Sequence, residues 1–302
     1  MNIVKPSVKE IVNDTPGKKM EYCGRVCYKS DSKINDDSYV KFLTNIAKSG
    51  HTSVLEHERV CFAVSADFDV ESGIKCKKFF SVSEVGGKKY VSANVRAWLE
   101  NCNADSAFYA KLKSLYPFLF EANINIKEET SSDSSEIALV DGAYLSSLPS
   151  EIKKQVEYLH TSRTFQLVCS RACTHQLVRH RSFSFSQQSQ RYCNFSGEKF
   201  GHSIDFIMPI FDDKKEFSDE EKEKVTNRIS EMLSRIESDY FALVDELHLR
   251  AEDARAVLPN AAASVIVMTG RPCDWDGFFA LRCDAHAQRE IRDIAFAIRE
   301  LI

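Results

Sequence analysis

From Ser182 to Ser186, small hydroxyl residues alternate with Phe183 and Phe185. That period of two is what an extended strand needs to present two different faces. One face is aromatic and suits a core; the other carries hydroxyls and is available to a ligand. The strand lies inside a longer run, RHRSFSFSQQSQRY at 179–192, where Arg179, His180, Arg181 and Arg191 surround hydroxyl and carboxamide side chains with no acidic residue among them. Forked guanidinium donors can enclose an anion, and amides and hydroxyls can read a planar polar ring. An Arg- and Ser-rich run is more often a solvated loop or a nucleic-acid patch. A nucleic-acid surface, however, calls for a basic domain richer in Lys, whereas the chain carries a net charge of −4. The basic density is local, as a site for one small anionic ligand requires, and no nucleic acid is expected as a partner.

With 302 residues, 43% hydrophobic and 28% charged, the chain can bury an ordinary core. No apolar run approaches the roughly 20 residues that span a bilayer. The segment MNIVKPSVKEIVNDT lacks the apolar stretch of a signal peptide. A cytoplasmic protein without membrane contact is the expectation. Ten cysteines raise the question of disulfides or metal. Cys23 and Cys27 are four apart, as are Cys169 and Cys173, the rest are scattered, and no CxxC occurs. Buried free thiols are expected. Cys169, Cys173 and His175 form part of a zinc-like set, but a closed site needs a fourth ligand and none lies nearby in sequence. Metal is expected to be absent.

Along the chain, Ser38 to Ile46 has the apolar spacing of a helix ending near Gly50. Val60 to Val64 reads as a short buried strand. Gly86-Gly87 marks a turn before an extended stretch at Lys88 to Ser92, and Asn94 to Leu115 reads as one helix with Pro117 as its stop. The acidic, Ser-rich run EETSSDSSE at 128–136 reads as an exposed loop. Thr164 to Val168 suggests a strand, Cys169 to Val178 a short helix, and Ile204 to Met208 another strand. Ser218 with Glu221 forms a capping box ahead of a long helix with an apolar stripe at Val225, Ile229, Met232, Ile236, Tyr240, Leu243 and Leu247. A further helix begins near Ala251. The stretch Trp275 to Ile302 is largely helical, with Phe278, Phe279, Leu281, Ile291, Ile294 and Ile298 on its apolar face. The expected organisation is one domain over 1–302 with an excursion at about 67–160.

Three separated segments resemble the flavin-dependent thymidylate synthases, which make dTMP from dUMP. They are H-T-S-V-L-E-H at 51–57, Q-L-V-R-H-R-S-F-S-F-S-Q-Q-S-Q-R-Y at 176–192, and A-R-A-V-L-P at 254–259 with L-R-C-D-A-H-A-Q at 281–288. Three segments in the right order are far more specific than one motif. The resemblance implies an α/β (α+β) fold with a central, mostly antiparallel sheet flanked by helices. It also implies FAD as cofactor, methylenetetrahydrofolate as carbon donor, NADPH as reductant, and a homotetramer with shared active sites. Carried over residue by residue, Gln176, Arg179, Gln187, Ser189, Gln190, Arg191, Arg255 and Arg282 would hold dUMP. Ser53, Arg179, His180, Arg181, Ser186 and Gln187 would contact the flavin, and His51 would lie near the folate. Arg282, against the uracil edge, would be the catalytic residue: a guanidinium there favours negative charge on N3 and O4 and makes C5 a better nucleophile.

Each assignment has a plainer rival. Ser189 lacks an Asp–His pair to activate it and reads as a phosphate donor, not a nucleophile. His180 alone would be a structural histidine, His51, Glu56 and His57 lack the further partner of a metal set, Arg255 could balance Glu252 or Asp253, and Arg282 could pair with Asp284. The chain also departs from the family. The N-x-R flavin segment usual between the positions of Arg255 and Arg282 is absent, and T-G-R-P-C-D stands there. Another N-x-R, Asn94 with Arg96, occurs inside the excursion. It either supplies the lost flavin contacts or is an ordinary helix start capped by Ser92, and both readings stand at this point. Gln187 occupies a position where some members have Glu, so no general acid or base is available there. These departures leave room for a flavin- and folate-dependent pyrimidine nucleotide hydroxymethylase, or for a non-catalytic nucleotide- or RNA-binding protein on the same scaffold.

Overall fold

The computed structural model describes residues 1–13, 15–121, 136–211 and 217–302. Among the described residues ten strands form: β1 Asn2–Val4, β2 Ser7–Glu10, β3 Arg59–Ser65, β4 Ser81–Val85, β5 Lys88–Asn94, β6 Ala138–Leu139, β7 Arg163–Ser170, β8 Ser184–Gln187, β9 Asp205–Ile207 and β10 Ala263–Gly270. One antiparallel sheet has the order β2-β7-β10-β8, a second the order β4-β5-β3-β6, and β1 pairs with β9 in parallel. The fold is mixed helix and sheet with antiparallel sheets flanked by helices.

The first sheet is covered on both faces. Phe165, Leu167 and Cys169 of β7 and Ile266 and Met268 of β10 point to one side, where Trp275, Phe278, Ile291, Ile294 and Ile298 pack on them. These come from helices Pro272–Arg282 and Arg289–Arg299. On the other side Val267 meets Cys23 and Val26 of helix Lys18–Val26. The second sheet is likewise sandwiched. Val60, Phe62 and Val64 of β3 face Trp98 and Phe108, while Cys61 and Ala63 face Tyr90 and Val156. Burial on both faces is why β3 reads as a continuous apolar run and not as an alternation. Between β4 and β5 the turn falls on Gly86 and Gly87, both at positive φ (58° and 76°), as a two-residue hairpin turn demands.

Several elements differ from the sequence expectation. The helix read over Asn94 to Leu115 is two, Val95–Asn101 and Ala107–Leu115, the second started by the Ser106 hydroxyl accepting from the Tyr109 amide. Pro117 opens helix Pro117–Glu121 instead of stopping one, because a first helical position needs no amide proton. The C-terminal helix is broken at 283–288, where Asp284 accepts from the backbone and ring of His286, and Leu281 at that break is exposed. In helix Asp219–Phe241 the Ser218–Glu221 capping box forms. Leu233 faces inward there, while Met232 and Leu247 of the expected stripe are exposed. Apart from Glu136, the acidic run at 128–136 lies outside the described residues.

Candidate active site

The RHR segment follows helix Arg171–Leu177 and leads into β8, the edge strand beside β10. Ser170 caps that helix: its hydroxyl accepts from the Cys173 amide and donates to Glu290, which also takes the Ser170 amide at 2.7 Å. Candidate site residues stand at both ends of the helix. At its C-terminal end the Arg282 Nε donates to His180 Nε2 at 2.9 Å, and Nη2 donates to the Gln176 carbonyl at 3.2 Å. The His180 ring also packs edge-on against Phe278, with centroids 4.9 Å apart. An imidazole nitrogen that accepts from a guanidinium carries no proton, so His180 is neutral. Burial, then the Arg282 charge, lowers its pKa to about 4. The RHR run therefore offers two cations and a neutral ring, not three cationic groups. Arg282 engages His180 and Gln176 and does not pair with Asp284. Gln176 reaches the Gln288 side chain.

At the other end of the same helix, Arg191 lies 3.5 Å from Glu252 and Arg255 donates to the Glu252 carbonyl at 3.0 Å. Arg171 stands beside them. Burial, and after it the Arg255 charge, lowers its pKa. Arg171 is not among the residues that the sequence singles out; its position directly after the Ser170 cap is the available signal. Ser189 accepts from the Arg191 amide, and its own amide donates to the Cys27 carbonyl, which fixes the turn leaving β8. Gln190 makes no side-chain hydrogen bond among the described residues. Gln187 donates to Ser264 at 3.0 Å.

A third group lines a cavity of about 570 Å³ between the two sheets, where Arg181, Ser182 and Ser184 from the RHR–β8 segment meet Asn94 and Glu56. Arg179 and Arg181 are exposed and have no ion pair among the described residues. The proposed face of β8 is only partly available. Ser182 and Ser184 line the cavity, but Ser186 is buried, with its hydroxyl 2.9 Å from His57 Nε2. A direct flavin contact from Ser186 is therefore ruled against by its burial. His57 is fully enclosed between Ser186 and Thr269, its pKa lowered to about 3, first by burial and then by Lys19. It is no metal ligand, since both nitrogens are occupied. His51 and Ser53 are exposed at the start of the turn Thr52–His57.

The Asn94–Arg96 pair divides. Asn94, not Ser92, caps the following helix, accepting from the Ala97 amide at 2.8 Å, and it still lines the cavity. Arg96 is held by Glu56 at 2.9 Å and Glu100 at 2.8 Å. Ser92 instead bonds Arg59 and His160. All ten cysteines are free thiols. Cys169 and Cys173 lie close together with Glu290, all three buried, and exposed His175 takes no part. Glu290 is already bound by Ser170, which accounts for the carboxylate without an ion.

The profile of the thymidylate synthase complementing protein family matches residues 10–94 and 121–302. The chain belongs to that family. Among its relatives are proteins named flavin-dependent thymidylate synthase. That of Geobacter sulfurreducens is 38% identical over 144 residues, 47% of this chain and 57% of the relative. That of Mycolicibacterium vanbaalenii is 38% identical over 155 residues, 47% and 58%. That of Mycobacterium tuberculosis is 36% identical over 150 residues, 47% and 58%. The chain thus spans little more than half the length of these relatives. No helix among the described residues is long and apolar enough to cross a membrane.

Proposed function

We propose that this chain is an FAD-dependent thymidylate synthase that methylates dUMP to dTMP, with methylenetetrahydrofolate giving the carbon and NADPH the reducing equivalents. The observation that carries the reading is the pair of cationic groups at the two ends of helix Arg171–Leu177. Arg282 sits at one end, and Arg171, Arg191 and Arg255 lie at the other. Seven helical residues span roughly 10 Å, comparable with the reach of a pyrimidine mononucleotide from base edge to phosphate. In this reading Arg171, Arg191, Arg255 and Ser189 hold the phosphate, and Gln176, Arg179, Gln187 and Gln190 complete the nucleotide contacts. Arg282 lies along the O4–N3 edge. His180, neutral and acceptor-only at Nε2, takes the Nε–H and the Gln176 carbonyl takes one N–H of Nη2, which leaves the outer N–H groups for the base.

The donor set also suits a dinucleotide. Arg179 and Arg181 lack carboxylate partners among the described residues, and the cavity beside Arg181 falls in the size range of cofactor pockets. Arg179, Arg181 and Asn94 would hold FAD, with His180, Gln187 and Ser53 at its margin, His51 toward the folate, and Ser186 and Arg96 acting from behind Glu56 and His57. FAD, when bound, would supply the redox step and the relay of the one-carbon unit. A single domain over 1–302, a shared site in a homotetramer and a cytoplasmic setting complete the proposal.

Incubation with dUMP, methylenetetrahydrofolate, FAD and NADPH should give dTMP by mass. A hydroxymethylated product, or no product from a yellow, folded protein, would overturn the assignment. Arg179→Ala combined with Arg181→Ala should purify colourless and folded, whereas an equally yellow double variant would remove the flavin site from this segment.

A further inference from the structure

The cavity between the sheets has a second wall, supplied by residues before and after the excursion's first hairpin and by the end of β10. Arg59, at the start of β3, turns its guanidinium into that wall. It donates to the Ser81 hydroxyl at 2.8 Å, to the Ser92 hydroxyl through Nε and Nη2 at 3.2 and 3.0 Å, and to the Ser92 carbonyl at 3.1 Å. No carboxylate pairs with it among the described residues. The neighbouring guanidinium, Arg271, is a like charge, and Asp274 is already taken by Arg271 in a two-pronged contact at 2.8 Å on each side. Around the cavity stand Arg59, Lys78, Arg181 and Arg271 against the carboxylates of Glu56 and Asp274, and Glu56 is held by Arg96. A desolvated guanidinium without a counter-charge is costly. Burial, and next Arg271, lowers the Arg59 pKa to about 10.

Hydrogen-bond direction shows what the wall presents. The Ser92 hydroxyl accepts from Arg59 and lies 2.8 Å from His160 Nδ1. His160 is neutral, because burial lowers its pKa to about 4, and its Nε2 lies 2.6 Å from the Ser83 hydroxyl, to which it donates in the tautomer protonated at Nε2. In that tautomer the proton of Ser83 is left for the cavity, which Ser83 lines. Ser81 accepts from both Arg59 and Arg271, at 2.8 and 2.7 Å, so its proton is left as well. Arg59 Nη1 donates to nothing among the described residues. The one sealed side-chain atom there without a partner is the Tyr240 hydroxyl, so Nη1 is open to the cavity. Arg59 Nη1 and the Ser81 hydroxyl therefore face the cavity as donors, joined by Ser83 in the tautomer that puts the His160 proton on Nε2. Phe79, more than half exposed at the rim, adds a ring face beside Lys78.

We propose that Arg59, Ser81 and Ser83 form a phosphoryl-binding subsite in this cavity, and that its ligand is a nucleotide-sized phosphate ester with the aromatic base toward Phe79. Guanidinium and hydroxyl donors with net positive charge select an oxyanion. The volume exceeds what inorganic phosphate needs. The phosphoryl group belongs either to the dinucleotide already proposed or to a separate nucleotide, and the test separates these sources.

Inorganic pyrophosphate and ADP are titrated calorimetrically into the full chain as purified and after removal of flavin, with flavin content read by absorbance. A subsite for the dinucleotide's own diphosphate gives pyrophosphate binding only in the flavin-free chain, and Ser83→Ala lowers the flavin retained. A separate nucleotide site gives pyrophosphate and ADP binding in the flavin-loaded chain as well. In either case Ser83→Ala weakens pyrophosphate by about tenfold or more, the loss of one hydrogen bond to a charged group, and Arg59→Gln weakens it further. Should Arg59→Gln fail to fold, Ser83→Ala decides, since it removes one hydroxyl from a half-buried strand position. No pyrophosphate binding by either form, or wild-type binding by folded Ser83→Ala, overturns the subsite. A colourless chain that binds pyrophosphate through Ser83 would instead keep the subsite and remove the flavin.

Discussion

Lowering the pH from 7 to 5 should destabilise this protein well before its exposed carboxylates matter. His57 and His160 are sealed in hydrogen-bond networks, with their pKa values lowered from the ordinary 6.5 to about 3 and about 4. The folded state therefore refuses protons that the unfolded chain accepts. Where the unfolded state binds more protons, stability rises with pH. The stability these two residues give is present above about pH 6.5 and is lost as pH falls toward 4 and then 3. At pH 5 each is charged in ~97% of unfolded chains and almost none of the folded ones. Integrated from pH 7, that is about 2 kcal/mol per residue, about 4 kcal/mol together. Glu58 works the other way. Burial raises its pKa, so the folded state holds a proton there more readily than the unfolded one. His180, also lowered to about 4 but half-exposed, adds in the same direction as the two sealed rings, and histidines against one carboxyl leave a net slope of about one proton or more, a loss of roughly 2–4 kcal/mol out of a typical 5–15. For a chain of this size that lowers Tm by on the order of 3–6 °C. Urea unfolding at pH 7, 6 and 5 measures the free energy directly. His160→Gln should be less stable at pH 7, yet lose about one proton's worth of the slope. A flat profile between pH 7 and 5, or an unchanged slope in His160→Gln, would refute the claim that these rings are buried neutral.

Two further outcomes follow from named contacts. A Cβ at Gly270 would lie 2.3 Å from the Phe183 ring, itself held by Trp275 and Phe278; Gly270→Ala should cost about 1–3 kcal/mol of overpacking, seen as a lower urea midpoint, and wild-type stability would mean that the ring has room to move. Arg282→Lys and Arg282→Ala should both slow single-turnover flavin oxidation with dUMP and folate by about a hundredfold to a thousandfold, because an ammonium cannot serve His180 and two ring acceptors at once; wild-type rates in both would leave Arg282 a purely structural tie to Gln176.

Much of the site was legible because its signals are local. The alternation through Phe183 and Phe185 does form the edge strand β8, the run at Val60 to Val64 does form a strand buried on both faces, and the capping box at Ser218 does start its helix. What stayed hidden depends on pairings across the chain. Period identifies β3 as a strand but cannot say that β5 and β6 are its partners, so the second sheet was not foreseen. His180 looks like a third cation until Arg282, 102 residues away, donates to it. Ser186 keeps the period of β8 and still faces inward, because His57 takes its hydroxyl. Arg59, His160 and Arg271 are each unremarked in their own surroundings. Only the approach of three distant segments makes them one wall.

The segment at 56–58 ties these parts together, and its chemistry explains why it does so without being a ligand set. Glu56 accepts from Ser184 of β8 at 3.1 Å and from Arg96 of the excursion. His57 bonds Ser186 of β8 and Thr269 of β10, and Thr269 lies 2.9 Å from Thr164 of β7. Glu58 accepts from the Gly17 amide at 3.0 Å and from the Tyr116 hydroxyl. Three consecutive residues thus fix the edge strand carrying the candidate site against its own sheet, the N-terminal helix layer and the excursion. Loss of His57 or Glu58 leaves buried polar partners unsatisfied, at about 1–3 kcal/mol each, and loss of Glu56 removes the tie between Ser184 and Arg96. Arg59, the next residue but one after His57, begins β3 and reaches the cavity wall, so the register that places Ser184 also places Arg59 opposite it. The distance between the two sides of the cavity is set within four residues of chain, which is how an excursion of this length can add a wall to a site without loosening it.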